Sequence, residues 1–223
     1  MPVTDPIHTP VKVVVFDCDS TLSSIEGIDE LARDAGPEIF REVESMTRLA
    51  MEGAIPLEDV FRRRLELIRP GAAACAAIAQ KYLQTIEPDA GRVLAELRGA
   101  GWTPAILSGG LAPAVQPLAA HLGITEVHAV PLYFDEAGNY LGFDAEFPAA
   151  RSGGKPLVIQ QLRARLGAGK VVMVGDGASD LETKPVVDLF VGFGRYADRP
   201  AVRAGAGAFL MELAGLPQLL ARL

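Results

Sequence analysis

Val11 to Phe16, Pro104 to Leu107 and Val171 to Val174 are three apolar runs far apart in the chain, and small or acidic residues follow each of them. Runs rich in β-branched and aliphatic side chains, without polar alternation, predict strands buried on both faces. Strands buried twice and separated by helical stretches lead to a parallel α/β sheet. Open sheets of this kind take their ligands at the carboxyl ends of the strands. The segments that follow the runs are Asp17-Cys18-Asp19-Ser20-Thr21, Ser108-Gly109-Gly110 and Gly175-Asp176-Gly177-Ala178-Ser179-Asp180. They are expected to meet there.

Between the first run and the rest lies a different pattern. Ile28, Leu31 and Ala32 recur at helical spacing, then Val43, Met46, Thr47 and Ala50, then Phe61, Leu65 and Ile68. Gly36-Pro37, Ile55-Pro56 and Arg69-Pro70-Gly71 punctuate them. Residues 24–84 are therefore expected to form a helical insertion of three or four helices, with 1–23 and 85–223 forming the sheet core. In that core the sequence predicts a helix over Ala90 to Ala100, a strand over Trp102 to Leu107, and a helix over Pro113 to Leu122 capped by Gly123. A strand over Val127 to Pro131 and a hairpin over Tyr133 to Phe143 follow. A helix over Pro156 to Leu166, a strand over Asp188 to Gly192 and a closing helix over Leu213 to Leu223 complete the expectation.

A net charge of −7 gives no bulk attraction to nucleic acid or to an anionic membrane, so neither is expected as a partner. Cys18 and Cys75 are too few for a disulfide framework, and one sits inside an acidic motif, which favours a reducing compartment. Met1 to Pro10 has no apolar h-region, and no apolar stretch reaches membrane-spanning length. A cytoplasmic location is the resulting expectation.

Two aspartates two residues apart beyond a strand can reach one ligand where the chain bends. One carboxylate can attack phosphorus while the other exchanges protons with the leaving and attacking oxygens. Taken alone, the pentapeptide can also be read as a solvated turn. Ser108-Gly109-Gly110 can offer a hydroxyl and bare N–H groups to a phosphate, although glycine pairs after strands are usually plain turns. Lys155, after Ser152-Gly153-Gly154, can add a point charge or be an ordinary surface lysine. Asp17 and Asp176 can supply the carboxylates that a hard cation such as Mg²⁺ prefers, while Asp176 and Asp180 also read as helix-capping acids. Four such signals in order, each at a strand end or a helix start, favour phosphoryl transfer assisted by a divalent cation.

The ordered set Asp17-Cys-Asp19-Ser-Thr21, Ser108-Gly-Gly, Lys155 and Gly175-Asp-Gly-Ala-Ser-Asp180 resembles the haloacid-dehalogenase-like phosphohydrolases. The likeness runs from about Val11 to Gly194 and extends into the insertion, at Glu26-Gly-Ile-Asp-Glu-Leu-Ala32, Met46 to Pro56 and Arg64 to Ile68. There it is similar to the branch that acts on phosphoserine. The resemblance implies a Rossmann-like parallel sheet core with a small helical cap inserted after the first strand. It implies Asp17 as nucleophile, forming an aspartyl-phosphate, and Asp19 as general acid and then base. Mg²⁺ would be held by Asp17, the Asp19 carbonyl and Asp176, with Thr21 and Asp180 behind. The phosphate would be held by Ser108, Gly109, Gly110 and Lys155, near Ser179. The resemblance also implies that Glu26 faces the substrate ammonium, Arg64 its carboxylate, and that Met51 lines the pocket. Arg199 matches a further binding position. Read from the residues alone, Glu26 and Arg64 are solvated helix residues and Met51 is core.

Three departures stand out. Ser179 replaces the usual Thr or Asn and keeps a hydroxyl. Arg195-Tyr196 stands where a Gly-Asn pair is common, and Lys184-Pro185 is unusual. The expected activity is hydrolysis of a small phosphorylated amino acid. Transfer of the phosphoryl group to another alcohol, such as homoserine, is the alternative within enzymes. A phospho-accepting signalling domain is the alternative of another class, but it has no need of a cap or of an acid like Asp19. A non-catalytic scaffold is disfavoured, because every expected catalytic residue is present.

Overall fold

Successive side chains of a strand point to opposite faces of its sheet, and β1 (Val11–Phe16) uses both. In the computed structural model, which describes residues 11–52 and 54–223, Val13 and Val15 pack on one face and Val14 and Phe16 on the other, all without solvent exposure. The remaining elements of the main sheet are β2 (Trp102–Leu111), β3 (Glu126–Val130), β6 (Ala168–Gly175), β7 (Leu189–Phe193) and β8 (Ala208–Leu210). They lie in the order β3-β2-β1-β6-β7-β8, and every pairing is parallel. β4 (Leu132–Phe134) and β5 (Tyr140–Phe143) form a separate antiparallel hairpin, as the sequence predicts.

The register places the site. Phe16 pairs with Ile106 on one side and Val174 on the other, so β1 and β6 end side by side against the later part of β2. The strand order reverses beside β1, where the chain runs to β2 on one hand and to β6 on the other. A crevice opens at such a point.

Four helices, α1 (Gly27–Ala35), α2 (Pro37–Met51), α3 (Leu57–Ile68) and α4 (Ala72–Gln84), fill the segment expected to be helical. Pro37 at the first turn of α2 and a left-handed Arg69 after α3 fit the predicted breaks. The chain leaves and re-enters the sheet region through adjoining strands of backbone. Ser23 bridges Ile86, Ser24 N–H donates to Thr85 O at 2.9 Å, and Glu87 N–H to Leu22 O at 2.9 Å. One face of the sheet is covered by α5 (Ala90–Gly99) and α6 (Ala112–His121), the other by α7 (Gly154–Leu166). Short helices α8 (Ala178–Leu181), α9 (Pro200–Gly205) and α10 (Leu216–Leu220) complete the chain.

Two expectations need correction. Ser108-Gly109-Gly110 does not follow the second strand but lies within it, since β2 runs on to Leu111 with its pairing to β3 shifted between Leu107 and Leu111. Glycines inside a strand mark such irregular pairing. The closing helix over 213–223 is a 3₁₀ turn at Leu213–Gly215 followed by the five-residue α10. Among the described residues no helix is long and apolar enough to cross a membrane, and both cysteines are free and buried.

Candidate active site

Asp17 is the first residue beyond β1, and its N–H still donates to Val174 O at 2.9 Å, which fixes it to the β6 side of the crevice. The chain then turns through Cys18–Leu22, with Ser20 at φ +49°. That left-handed conformation is rare for a side chain larger than glycine. It lets Ser20 Oγ donate to Glu26 Oε1 at 2.8 Å. Asp19 Oδ1 accepts from Gly27 N–H at 2.7 Å and from Tyr82 Oη at 2.6 Å. Gly27 is required here, because a Cβ would stand 2.1 Å from the Tyr82 oxygen.

Lys155, in the first turn of α7, is buried and lies between two carboxylates. Its Nζ donates to Asp180 Oδ1 at 2.6 Å and stands 3.0 Å from Asp17 Oδ1. The second contact is an ion pair with poor hydrogen-bond direction, and Asp17 Oδ1 remains a buried oxygen without a donor. Asp180 Oδ2 accepts from Gly177 N–H at 3.0 Å, so both its oxygens are engaged. Asp176 Oδ1 accepts from Thr21 Oγ1 at 3.3 Å, and Asp176 Oδ2 is paired with Arg199. Arg199 Nη2 also lies 3.6 Å from Glu26 Oε1.

Crowded acids in a dry crevice resist ionisation. Burial, then the charge of Asp180, lifts Asp17 to about 7 against the pull of Lys155. Burial, then Glu26 and Asp17, lifts Asp19 to about 8, although Tyr82 and Gly27 stabilise its anion. Burial also raises Asp176 well above the usual range despite Arg199. Burial alone would lower Lys155, but Asp17 and Asp180 outweigh it and hold the ammonium charged. One carboxylate oxygen from each of Asp17, Asp176 and Asp180 lies within 4.8 Å of the others. A hard oxygen-only donor set, an orphaned oxygen on Asp17 and carboxyls that resist sharing their charge all fit a divalent cation such as Mg²⁺. Asp17 and Asp176 could bind it, Asp176 by exchanging its pairing with Arg199 for the cation, with Asp180 held behind them by Lys155 and Gly177.

A narrow cavity of about 30 Å³ joins these residues to the helical segment. Asp17, Asp19, Gly109, Gly110, Lys155 and Ser179 form its sheet side; Glu26, Ile28, Leu57, Phe61 and Arg64 form the other. Ser108 is buried beneath, its Oγ accepting from Gly110 N–H at 2.8 Å. Nearly all the expected site residues are therefore brought together around one space. Arg199 stands at its rim through Glu26 and Asp176. The side chain of Met51 lies outside the described residues.

The chain matches the model of the haloacid dehalogenase-like hydrolases over residues 11–183. It belongs to that family. Among its relatives, phosphoserine phosphatase of Mus musculus is 38% identical over 205 residues, covering 91% of this chain and 90% of the relative. The Homo sapiens phosphoserine phosphatase is 37% identical over the same span. A solved phosphoserine phosphatase carrying a phospho-aspartyl intermediate analogue superposes with a TM-score of 0.84 at 26% identity, covering 95% of this chain and 99% of that one. A substrate-bound phosphoserine phosphatase gives 0.83 at 25% identity, covering 97% and 100%. This haloacid dehalogenase-like hydrolase is an enzyme, a phosphomonoesterase like phosphoserine phosphatase.

Several residues of this hydrolase's site escape sequence reasoning. Tyr82 lies at helical spacing with Cys75 and Ile78 and looks like core, yet its hydroxyl enters the site. Thr47 gave a signal, a polar residue on the otherwise apolar stripe of α2. The departures at Arg195-Tyr196 and Lys184-Pro185 acquire physical accounts. Glu87 is wholly buried where the helical segment rejoins the sheet region; it accepts from the Tyr196 hydroxyl and, at 3.2 Å, from Arg195 Nη1. That ties the loop before Arg199 to the junction. Burial and the bond to Glu87 push Tyr196 up to about 12, so it stays a donor. Lys184 Nζ caps Gly205 O at the end of α9, at 2.8 Å, and Pro185 sits in the first turn of the 3₁₀ segment Lys184–Val186.

Gly175 ends β6 directly under Asp180, where a Cβ would meet Asp180 Cγ at 2.3 Å. Asp180 cannot yield without giving up Lys155 or Gly177. Gly175→Ala is expected to cost about 1–3 kcal/mol as overpacking, seen as a Tm several degrees lower. An unchanged Tm would refute this account of the packing.

Proposed function

We propose that the protein hydrolyses O-phospho-L-serine to L-serine and phosphate with Mg²⁺, through an aspartyl-phosphate on Asp17. Residues 24–84 serve as a cap over the site, residues 11–23 and 85–223 as the core. The observation that carries this reading is the composition of the cavity. One wall offers Asp17, Asp19 and Lys155, and the other offers a single carboxylate, Glu26, and a single guanidinium, Arg64. A phosphorylated amino acid presents a phosphate with one ammonium and one carboxylate, which is the complement of those groups.

Asp17 attacks phosphorus, forming a carboxyl oxygen–phosphorus bond as the bond to the serine oxygen breaks. Asp19, held protonated by its surroundings, gives its proton to that oxygen and afterwards takes one from the water that hydrolyses the acyl-phosphate. Gly27 and Tyr82 bind its Oδ1, which leaves Oδ2, the oxygen beside Gly110, to handle the proton. Lys155, the Ser108 hydroxyl and the Gly109 N–H hold the phosphoryl oxygens, with the Gly110 N–H turned to Ser108 Oγ to orient that hydroxyl and Ser179 at the edge. Mg²⁺ on Asp17, the Asp19 carbonyl and Asp176 would supply charge neutralisation to the phosphoryl group. Thr21 and Asp180 orient Asp176 and Lys155. Glu26 receives the ammonium, with Arg199 and Ser20 fixing its position. The cavity is far smaller than the roughly 300–1,000 Å³ of ligand pockets, so the cap must move for substrate to enter.

The test is phosphate release from a panel of phosphorylated metabolites. Phosphoserine is expected to lead the panel, and a chelator is expected to stop turnover until Mg²⁺ is restored. Equal rates across the panel would refute the substrate assignment, and full activity in chelator would refute the metal.

A further inference from the structure

Arg64 is buried on α3, and its Nη1 donates to Thr47 Oγ1 at 2.9 Å. Thr47 is buried on α2, and its hydroxyl donates in turn to Asp29 Oδ1 on α1. Among the described residues, Arg64 Nε is buried without an acceptor. We propose that Thr47 and Asp29 are positioning residues that hold the Arg64 guanidinium ready for a ligand carboxylate. The proposal rests on the reading of Arg64 given above.

Guanidinium carries five donors and no acceptor, and a hydroxyl carries one proton and two lone pairs. An acid placed directly against Arg64 would hold it, but it would also neutralise it and occupy the fork a carboxylate ligand needs. A neutral hydroxyl takes one N–H and leaves the others. Burial lifts the Asp29 carboxyl to about 6, so near pH 7 it is largely ionised and can only accept. It therefore takes the Thr47 proton and turns the lone pairs of Thr47 toward Arg64. The countercharge stays one side chain removed. Three helices each contribute one member, so the guanidinium is set by the packing of α1, α2 and α3 on one another.

The experiment compares kcat/KM for phosphoserine and for phosphoethanolamine, which lacks the carboxylate. Thr47→Val keeps the shape and removes the acceptor. It is expected to lower kcat/KM for phosphoserine about ten- to a hundredfold, mainly through KM, with phosphoethanolamine changed by less than about twofold. Thr47→Ser should restore most of the loss. Asp29→Ala leaves the Thr47–Arg64 contact but frees the hydroxyl, and is expected to give a smaller loss of the same selective kind. It also serves if Thr47→Val folds poorly. Arg64→Ala, run alongside, is expected to harm phosphoserine about ten- to a few-hundredfold and to spare phosphoethanolamine. If Arg64→Ala is selective while Thr47→Val and Asp29→Ala affect both substrates alike or neither, the positioning role is overturned and the substrate reading stands. If Arg64→Ala itself is unselective, the substrate reading fails.

Discussion

Asp17→Asn is expected to abolish turnover while the protein folds at least as well as the wild type. The kinetic part follows from the proposed covalent step, since an amide has no anionic oxygen to attack phosphorus. Residual activity above about a hundredth, equivalent to less than about 2.7 kcal/mol of barrier, would sink Asp17 as nucleophile. The stability part follows from the site's electrostatics. Burial and Asp180 raise Asp17 to about 7 in the folded chain. A carboxyl raised on folding contributes its full stability below its unfolded value and loses it as pH climbs through the folded one. Asn carries no charge at any pH. In metal-free buffer the Tm advantage of the variant should therefore widen between about pH 4 and pH 7, then level off. Lys155 keeps Asp180 as its partner throughout. An advantage that shrinks over that window would contradict the assignment of charge.

Asp19→Asn is the second large effect, about 10²–10⁴-fold if the residue is a general acid. The variant should fold, because an amide oxygen can accept from Gly27 and Tyr82 as Oδ1 does. The loss should be greatest for serine, a poor leaving group, and smaller for an aryl phosphate, whose oxygen leaves with little help. Single-turnover phosphorylation of the enzyme separates the first step from later hydrolysis. Equal losses on the two substrates would remove Asp19 from the role of acid.

Strand β1 is legible to the residue, because a run of β-branched side chains buried on two faces has few other uses. The parallel sheet and the helical insertion follow from the same periodicities. β8 was not legible: three half-buried residues carry no period, and only pairing with β7 makes them a strand. The extension of β2 was hidden by Ser108-Gly109-Gly110, whose composition reads as a turn. In the site, the acids and Lys155 could be found because each sits at an element boundary with a chemical type that boundary seldom needs. Tyr82 and Glu87 could not, because nothing local separates a core tyrosine from one that touches Asp19, or links Glu87 to Arg195, 108 residues away. Asp29 was visible only as one acid among several on α1.

The bridge between Ser23 and Ile86 places the exit and the return of α1–α4 at one spot beside the sheet. No strand changes neighbours if what lies between them is altered. A laboratory could exchange everything between those two residues for a different set of helices and retain the order of strands that brings Asp17, Ser108 and Asp176 together. Selectivity would then come from the graft, while reactivity would survive only in grafts that again offer Asp19 the two donors now supplied by Gly27 and Tyr82.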